Sequence, residues 1–198
     1  MSRLARWICL ASSILVVAGT SSPRTDDAAI LSAVLLIWYR DSLPDQVVLQ
    51  SESNDPALFT HPAGCPPVGP RAPMECTDWA RDSLPPALLE AAKAADFSDR
   101  TAWKTTEVPP GTVVFLPADR DAIFAPGAGG WTEFHRRFPR AHGFEELSRP
   151  VVSSDGQQAV IRAAHRCGPL CGEGGVAWLG RSPDGQWRVV RWFRHWIS

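Results

Sequence analysis

The sequence predicts an α+β domain in which an N-terminal helix and shorter helices pack on an antiparallel sheet ending in a C-terminal β-meander. Three observations carry this prediction: an amphipathic stretch after Asp26, short helical patterns in the middle of the chain, and strand patterns separated by tight turns near the end. At 198 residues, 44% hydrophobic and 21% charged, the chain has an ordinary globular composition and enough length for a packed core.

The first residues have the pattern of a secretory signal peptide. Arg3 and Arg6 precede the apolar run Trp7 to Ala18, which is followed by small and polar residues. That run would extend only about 18 Å as a helix, too short for a hydrocarbon core of about 30 Å, so a membrane anchor is the weaker interpretation. We expect cleavage after Ala18 or Gly19, a signal peptide at residues 1–19, a single domain at residues 20–198, and a secreted or periplasmic product without a stable membrane span.

The charge balance argues against a nucleic-acid-binding protein. Removal of the leader leaves 18 basic residues against 21 acidic ones, a net charge of about −3. The arginine-rich end of the chain therefore does not by itself predict nucleic-acid binding.

Four cysteines remain after cleavage, and an even number in an exported chain predicts disulfides. We favour the pairs Cys65–Cys76 and Cys167–Cys171, because both close short loops. The other two pairings stay open. A four-cysteine zinc site is a further alternative, although the usual spacing of two to four residues fits only the second pair.

Local patterns place the first elements along the chain. Asp26 or Asp27 is a candidate cap for the first helix, which ends before Pro44. A short β-branched strand follows at 45–53, and a Pro-rich loop occupies about 54–86. Two prolines then open a second helix, which continues through an alanine-rich stretch to about residue 95.

The second half begins with a buried-strand pattern at 111–118, one helical turn in "RDAIF" and a short helix over Trp131–Pro139. The last third reads as three or four antiparallel strands with turns at "SDG" and "PDG". Strict alternation in the last strand would separate two faces, one of which should meet the helices while the other carries arginines. The first face would hold Trp187, Val189, Arg191, Phe193 and His195, and the second Arg188, Val190 and Arg194.

The sequence contains no motif with the spacing that catalysis, metal binding or cofactor binding requires. The glycines around Cys167 and Cys171 lack the P-loop pattern, and the histidines lack a zinc-protease pair. Ser148, His165 and Asp184 would form a hydrolase triad only if the fold assembled them. Glu145 and Glu146 are adjacent on a strand, so they should point to opposite faces. We therefore predict no catalytic, metal or cofactor residues and no cofactor.

The C-terminal part resembles a family of exported bacterial proteins that has no known activity. The shared pattern is a G-W-x-x-F helix followed by F-P, G, L-S-R, Q-A, C-G-x-x-C-G-x-G, G-x-W and a terminal W-[IV]-S. The matching positions are Gly130, Trp131, Phe134, Phe138, Pro139, Gly143, Leu147, Ser148, Arg149, Gln158, Ala159, Cys167, Gly168, Cys171, Gly172, Gly174, Gly185, Trp187, Trp196, Ile197 and Ser198. The stretch "AILSAVLLIWY" also resembles the family's first helix.

Two features depart from the family pattern: the Pro-rich insertion around Cys65 and Pro150–Val151–Val152, where the family has V-G-F. The resemblance implies export and domain identity but supplies no mechanism. Because some relatives have small residues at the positions of Cys167 and Cys171, it implies a structural role for this pair.

These observations favour a non-catalytic exported domain that binds a protein or a component of the cell envelope. The alternative is a small extracytoplasmic hydrolase with an unrecognised active site. A deep pocket that joins Ser148, Arg149, His135 or His165 with a shifted pKa would favour the enzyme. A filled core and a shallow exposed aromatic patch would favour binding.

Overall fold

The computed structural model describes residues 23–40, 42–51, 84–94 and 102–198. The leader, the Cys65–Cys76 pair and nearly all of the Pro-rich loop lie outside the described residues, as does His61.

The described residues form four helices, which are α1 (Pro23–Tyr39), α2 (Pro86–Ala94), α3 (Pro117–Phe124) and α4 (Trp131–Arg137). Three of them begin at a proline, whose missing N–H costs nothing in the first turn. The prediction that Asp26 or Asp27 caps α1 was wrong, because the helix begins at Pro23 and Asp26 lies in its first turn. Asp26 still opposes the helix dipole there, and it pairs with Arg181.

Seven strands form one sheet in the described part of the chain. They are β1 (Val47–Gln50), β2 (Thr112–Phe115), β3 (Phe144–Leu147), β4 (Val151–Val152), β5 (Gln158–Gly168), β6 (Cys171–Arg181) and β7 (Trp187–Ile197). The order across the sheet is β2-β1-β3-β5-β6-β7, and β4 pairs with β5 beyond the end of β3. The predicted C-terminal meander is therefore confirmed as β5-β6-β7, and the α+β class with it.

The sheet is mostly antiparallel, but β1 runs parallel to both β2 and β3. The sequence did not indicate this parallel part, which the structure adds to the predicted antiparallel sheet. Parallel neighbours need long crossover connections, and the segments from β1 to β2 and from β2 to β3 both contain helices that supply them.

Both faces of the sheet are covered. On one face α1 packs its Ile30–Leu31 and Val34–Leu35 side chains against the middle of β5 and β6. On the other face α2 packs against β5, β6 and β7, while α3 and α4 pack with Phe115 and Phe144. Trp131, Phe134 and Phe138 lie three and four residues apart, and all three join this last cluster.

Strand β7 does not keep one face throughout. Trp187 and Val189 pack toward α1, whereas Phe193 packs toward α2. The register of β7 against β6 shifts twice, between Gly174 and Gly175 and between Trp178 and Leu179. Each bulge adds a residue to β7 and reverses which side chains face which layer, so the predicted strict alternation was wrong.

Candidate functional site

A row of three ionisable side chains crosses the sheet beneath the C-terminal end of α1. Glu145 on β3 lies directly opposite His165 on β5, and His165 lies directly opposite Glu173 on β6. Directly paired residues of antiparallel strands share a face of the sheet. The strand register therefore places an imidazole between two carboxyl groups on the face that α1 covers.

Glu145 is the buried anchor of this row, with none of its surface exposed. Its Oε1 atom accepts a hydrogen bond from the Tyr39 hydroxyl at 2.6 Å and lies 2.7 Å from Nδ1 of His165. When Nδ1 carries the proton and donates it to Glu145, the neutral ring keeps its lone pair on Nε2. Tyr39, Glu145, His165 and Glu173 are called the His165 centre below.

Burial dominates the electrostatics of this centre. It raises the pKa of Glu145, and the hydrogen bonds from His165 and Tyr39 offset this only in part. Burial, then the charge of Glu145 and the bond to it, also raise the pKa of Tyr39, so the phenol stays a neutral donor. The second carboxyl oxygen of Glu145, Oε2, is buried and has no hydrogen-bond partner among the described residues.

Aromatic side chains from α1 enclose His165. The Trp38 ring stacks on the imidazole with ring centroids 5.6 Å apart and an interplanar angle of 27°, and Tyr39 approaches it edge-on at 6.1 Å. Trp38 donates from Nε1 to Oε1 of Glu173 at 2.6 Å, while Arg194 pairs with Oε2 of the same carboxylate at 2.6 Å. These bonds tie the end of α1 to β6 and β7, so the aromatic cover over His165 is fixed in place.

Nε2 of His165 remains reachable from solvent. The side chain is 12% exposed. The described part of the chain makes no hydrogen bond to Nε2, and this atom is not among the buried polar atoms that lack a partner. The ring is thus held by one nitrogen and open at the other.

A separate groove lies between the first half of α1 and the turn that joins β6 to β7. Its cavity volume is about 440 Å³. This α1 groove is lined by Asp26, Ala29, Ser32, Ala33 and Leu36 of the helix and by Arg181, Asp184, Gly185, Gln186 and Trp187. Asp26 and Arg181 form an ion pair across it, and Arg181 also lies over the Trp187 ring at 4.9 Å.

The triad of Ser148, His165 and Asp184 is not assembled. The Ser148 hydroxyl accepts the backbone N–H of Arg162 at 3.0 Å and donates to the carbonyl of Arg149 at 3.1 Å. Asp184 accepts from Ser182 within the β6–β7 turn. His165 instead uses Glu145, Ser148 bonds to local backbone groups, and Asp184 also pairs with Arg188 at 3.5 Å.

Arg149 joins the start of α1 to the loop before β2. Its guanidinium bonds Glu107 at 2.9 Å and Asp27 at 3.4 Å, and it lies 3.9 Å above the Trp103 ring. Burial alone would raise the pKa of Glu107, but bonds from the Lys104 backbone and from Arg149 lower it overall. These contacts hold the start of α1 against the loop before β2, so the role of Arg149 in this arrangement is structural.

The cysteine turn carries a disulfide between Cys167 and Cys171, with Cα atoms 5.0 Å apart, which confirms the predicted pair. The glycines after it give room for Trp196. A Cβ atom at Gly172 would come within 3.2 Å of the Trp196 ring, and one at Gly174 within 2.4 Å. Arg166 lies over the same ring at 4.2 Å. The glycine-rich turn and the Arg/Trp tail therefore pack against each other.

Two further histidines are exposed. His135 lies beside Trp131 on α4, and His142 meets the Tyr39 ring edge-on at 6.1 Å. Glu145 and Glu146 face opposite sides as predicted, with Glu146 paired to Arg166 at 3.6 Å. The Glu145–His165 pair was not predicted from the sequence, where its only local signal is a carboxylate that shares a strand face with Leu147.

Comparisons with protein-family models, with curated proteins and with solved structures give no significant match. Within the described ranges, no group of three His, Cys, Asp or Glu side chains is placed to hold a metal ion. No helix in the part of the chain that the structure describes has both the length and the apolar character to cross a membrane.

Proposed function

We propose that this chain is an exported binding domain of the cell envelope, and that the α1 groove holds its ligand or a segment of its partner. The observation that carries the proposal is the groove itself, a concave site of about 440 Å³ with apolar and charged walls. Ligand sites in proteins commonly have volumes of about 300–1,000 Å³ with a few polar groups among apolar ones.

The charges of the groove favour a cationic ligand. Two carboxylates and one guanidinium line it, and Arg181 is already paired with Asp26. Asp184 is 58% exposed and lies 3.5 Å from the guanidinium of Arg188, an exposed ion pair that an incoming ammonium group would share or displace. A hydrogen bond from Ser182 holds the pKa of the Asp184 carboxyl below its usual value. The α1 wall contributes Ala29, Ala33 and Leu36. A peptide segment with a lysine-like side chain would place its alkyl stem on this wall and its ammonium group near Asp184.

Export is part of the same proposal. The N-terminal pattern of positive, apolar and small residues supports it, and so does the Cys167–Cys171 disulfide, since disulfides persist mainly in oxidising compartments. Recovery of the chain from the periplasm or medium with its N-terminus at Gly19 or Thr20 would agree. An intact leader on a cytoplasmic, reduced product would contradict export.

The binding proposal is tested by nuclear magnetic resonance titration of the oxidised mature protein. The probes are N-acetyl-lysine methylamide and its glutamate counterpart, which carry opposite charges on the same backbone. We expect the lysine probe to shift the amide signals of Ser32, Ala33, Gly185 and Gln186. Ala29→Phe should abolish these shifts, because Ala29 is exposed in the groove and a phenylalanine ring at this position would fill the groove.

The chain offers a matched control for the charge. Asp155 and Asp184 occupy equivalent turns, and each accepts from a serine two residues before it and from the backbone N–H two residues after it. Asp184→Asn should weaken lysine-probe binding about threefold, as expected for an exposed ion pair, whereas Asp155→Asn should not. Equal shifts with both probes, or equal effects of both variants, would refute the charge argument.

A further inference from the structure

The His165 centre lies apart from the α1 groove and shares no lining residue with it. Its arrangement has three elements of an acid–base site: an imidazole, a buried carboxyl group that holds one ring nitrogen, and a second ring nitrogen open to solvent. We propose that His165 is the general base of a hydrolytic site that acts on small neutral esters, with Glu145 and Tyr39 as positioning residues.

The geometry fixes which nitrogen reacts. The hydroxyl of Tyr39 and Nδ1 of His165 both meet Oε1 of Glu145, at 2.6 Å and 2.7 Å. Tyr39 thus holds the carboxyl group, and the carboxyl group holds the imidazole. Trp38 covers one face of the ring and Glu145 occupies Nδ1, so Nε2 is the nitrogen that can accept a proton from a water molecule.

The reaction follows from that nitrogen. Nε2 accepts a proton from a water molecule while the water oxygen attacks the ester carbonyl carbon, which gives a tetrahedral intermediate and an imidazolium ion. The intermediate collapses with cleavage of the bond to the alcohol oxygen, and Nε2 returns its proton to that oxygen. One ester and one water become one carboxylic acid and one alcohol, and His165 is restored.

The surroundings define the substrate class. Glu145 on β3 and Glu173 on β6 flank the imidazole, and Arg194 on β7 pairs with Glu173. Two carboxyl groups beside the base disfavour an anionic substrate. Trp38 and Trp192, whose ring centroids are 5.8 Å apart, supply an apolar boundary. A small uncharged ester with an apolar acyl group fits this chemistry.

The test is the hydrolysis of p-nitrophenyl acetate by the oxidised mature protein. The protein-dependent rate should be slower in D₂O than in H₂O, because a proton moves to Nε2 in the transition state. Equal rates in H₂O and D₂O would refute general-base catalysis.

The decisive variant is His165→Asn, whose side-chain amide can keep the bond to Glu145 while Nε2 is lost. We expect at least about a 100-fold fall in the protein-dependent rate. His142→Asn is the matched control, since His142 is exposed and also contacts Tyr39, and it should change the rate less than twofold. A His165→Asn protein as active as the wild type, or loss of activity in His142→Asn, would overturn the proposal.

Because His165→Asn could fail to fold, chemical modification of the folded wild-type protein gives a second test of the same assignment. Diethylpyrocarbonate modifies accessible histidine nitrogens, and mass mapping locates the modified residue. Loss of activity should follow modification of His165 in proportion. Full activity with His165 modified would refute the assignment. The lysine probe reports on the α1 groove and p-nitrophenyl acetate on the His165 centre, so failure of groove binding and failure of this proposal are separate results.

Discussion

The contact between Trp196 and the glycines of β6 gives the sharpest structural prediction. A Cβ atom at Gly174 would lie 2.4 Å from Nε1, 2.6 Å from Cε2 and 2.8 Å from Cζ2 of the Trp196 ring. Carbon atoms in contact prefer separations of about 3.5–4.0 Å. In Gly174→Ala, the ring must therefore move away by about 1 Å or more.

The free-energy cost has two parts. Overpacking of a fitted site typically costs about 1–3 kcal/mol. A displaced ring also weakens the contact with Arg166, whose guanidinium lies 4.2 Å from the ring centroid, and such contacts contribute about 0.5–1 kcal/mol at exposed sites. We expect a total of about 2–3 kcal/mol, which corresponds to a fall of about 5–10 °C in Tm for a chain of this size.

The assay is thermal unfolding followed by circular dichroism. Gly180→Ala is the matched control, because Gly180 lies on the same face of β6 and its added Cβ would meet only a methyl group of Val190, at 3.1 Å. Val190 is 56% exposed and free to turn aside, so the control should lose less than about 1 kcal/mol. The double variant Gly174→Ala/Trp196→Ala should be no less stable than Trp196→Ala, since the clash is gone.

The reasoning fails if Gly174→Ala unfolds within about 1 °C of the wild type. It also fails if Gly174→Ala and Trp196→Ala destabilise additively, because additivity would mean that the ring and the glycine do not meet.

Three further predictions concern stability. Because burial raises the pKa of Glu145, its contribution to stability is present below the unfolded-state pKa and is lost as pH rises through the folded-state pKa. Glu145→Gln should therefore gain stability relative to the wild type as pH rises from 4 to 8. Urea unfolding measures this difference, and the opposite trend would contradict the argument. Arg149→Ala should cost about 2 kcal/mol in urea unfolding at pH 7, and the difference should narrow as pH falls through the lowered pKa of Glu107, whose contribution is present only above it. Loss of the disulfide in Cys167→Ser/Cys171→Ser should cost about 2 kcal/mol, as loop-closure entropy predicts for a sequence separation of four; a Tm unchanged from the oxidised wild type would contradict this.

Local signals in the sequence predicted the local structure. The apolar stretch after Asp26 predicts α1, and Pro139 follows the end of α4 at Arg137. The two turns with Asp-Gly separate the strands as expected, and the close spacing of Cys167 and Cys171 predicts their bond. Each of these signals acts over a few residues.

Features that depend on pairing between distant strands escaped prediction. Nothing near β1 indicates that it runs parallel to β2, because that direction follows from where the crossover helices pack. The two bulges in β7 likewise depend on how it meets β6. Glu145 and His165 are 20 residues apart, and only the register of β3 on β5 brings them together. In the sequence, a lone histidine and a pair of adjacent glutamates do not indicate which strands will pair or in which register.

The Cys167–Cys171 disulfide and the glycines of β6 hold the strands around the His165 centre in register. His165 pairs with Glu173 near the end of the β5–β6 hairpin, and the disulfide closes that end at Cys167 and Cys171. A slip of one residue would turn every side chain to the opposite face, and His165 would lose both Glu145 and the cover from α1. Trp196 adds a second constraint, because its ring fits β6 only where the glycines lie. The disulfide and the glycines of this turn therefore help to fix the position of the imidazole.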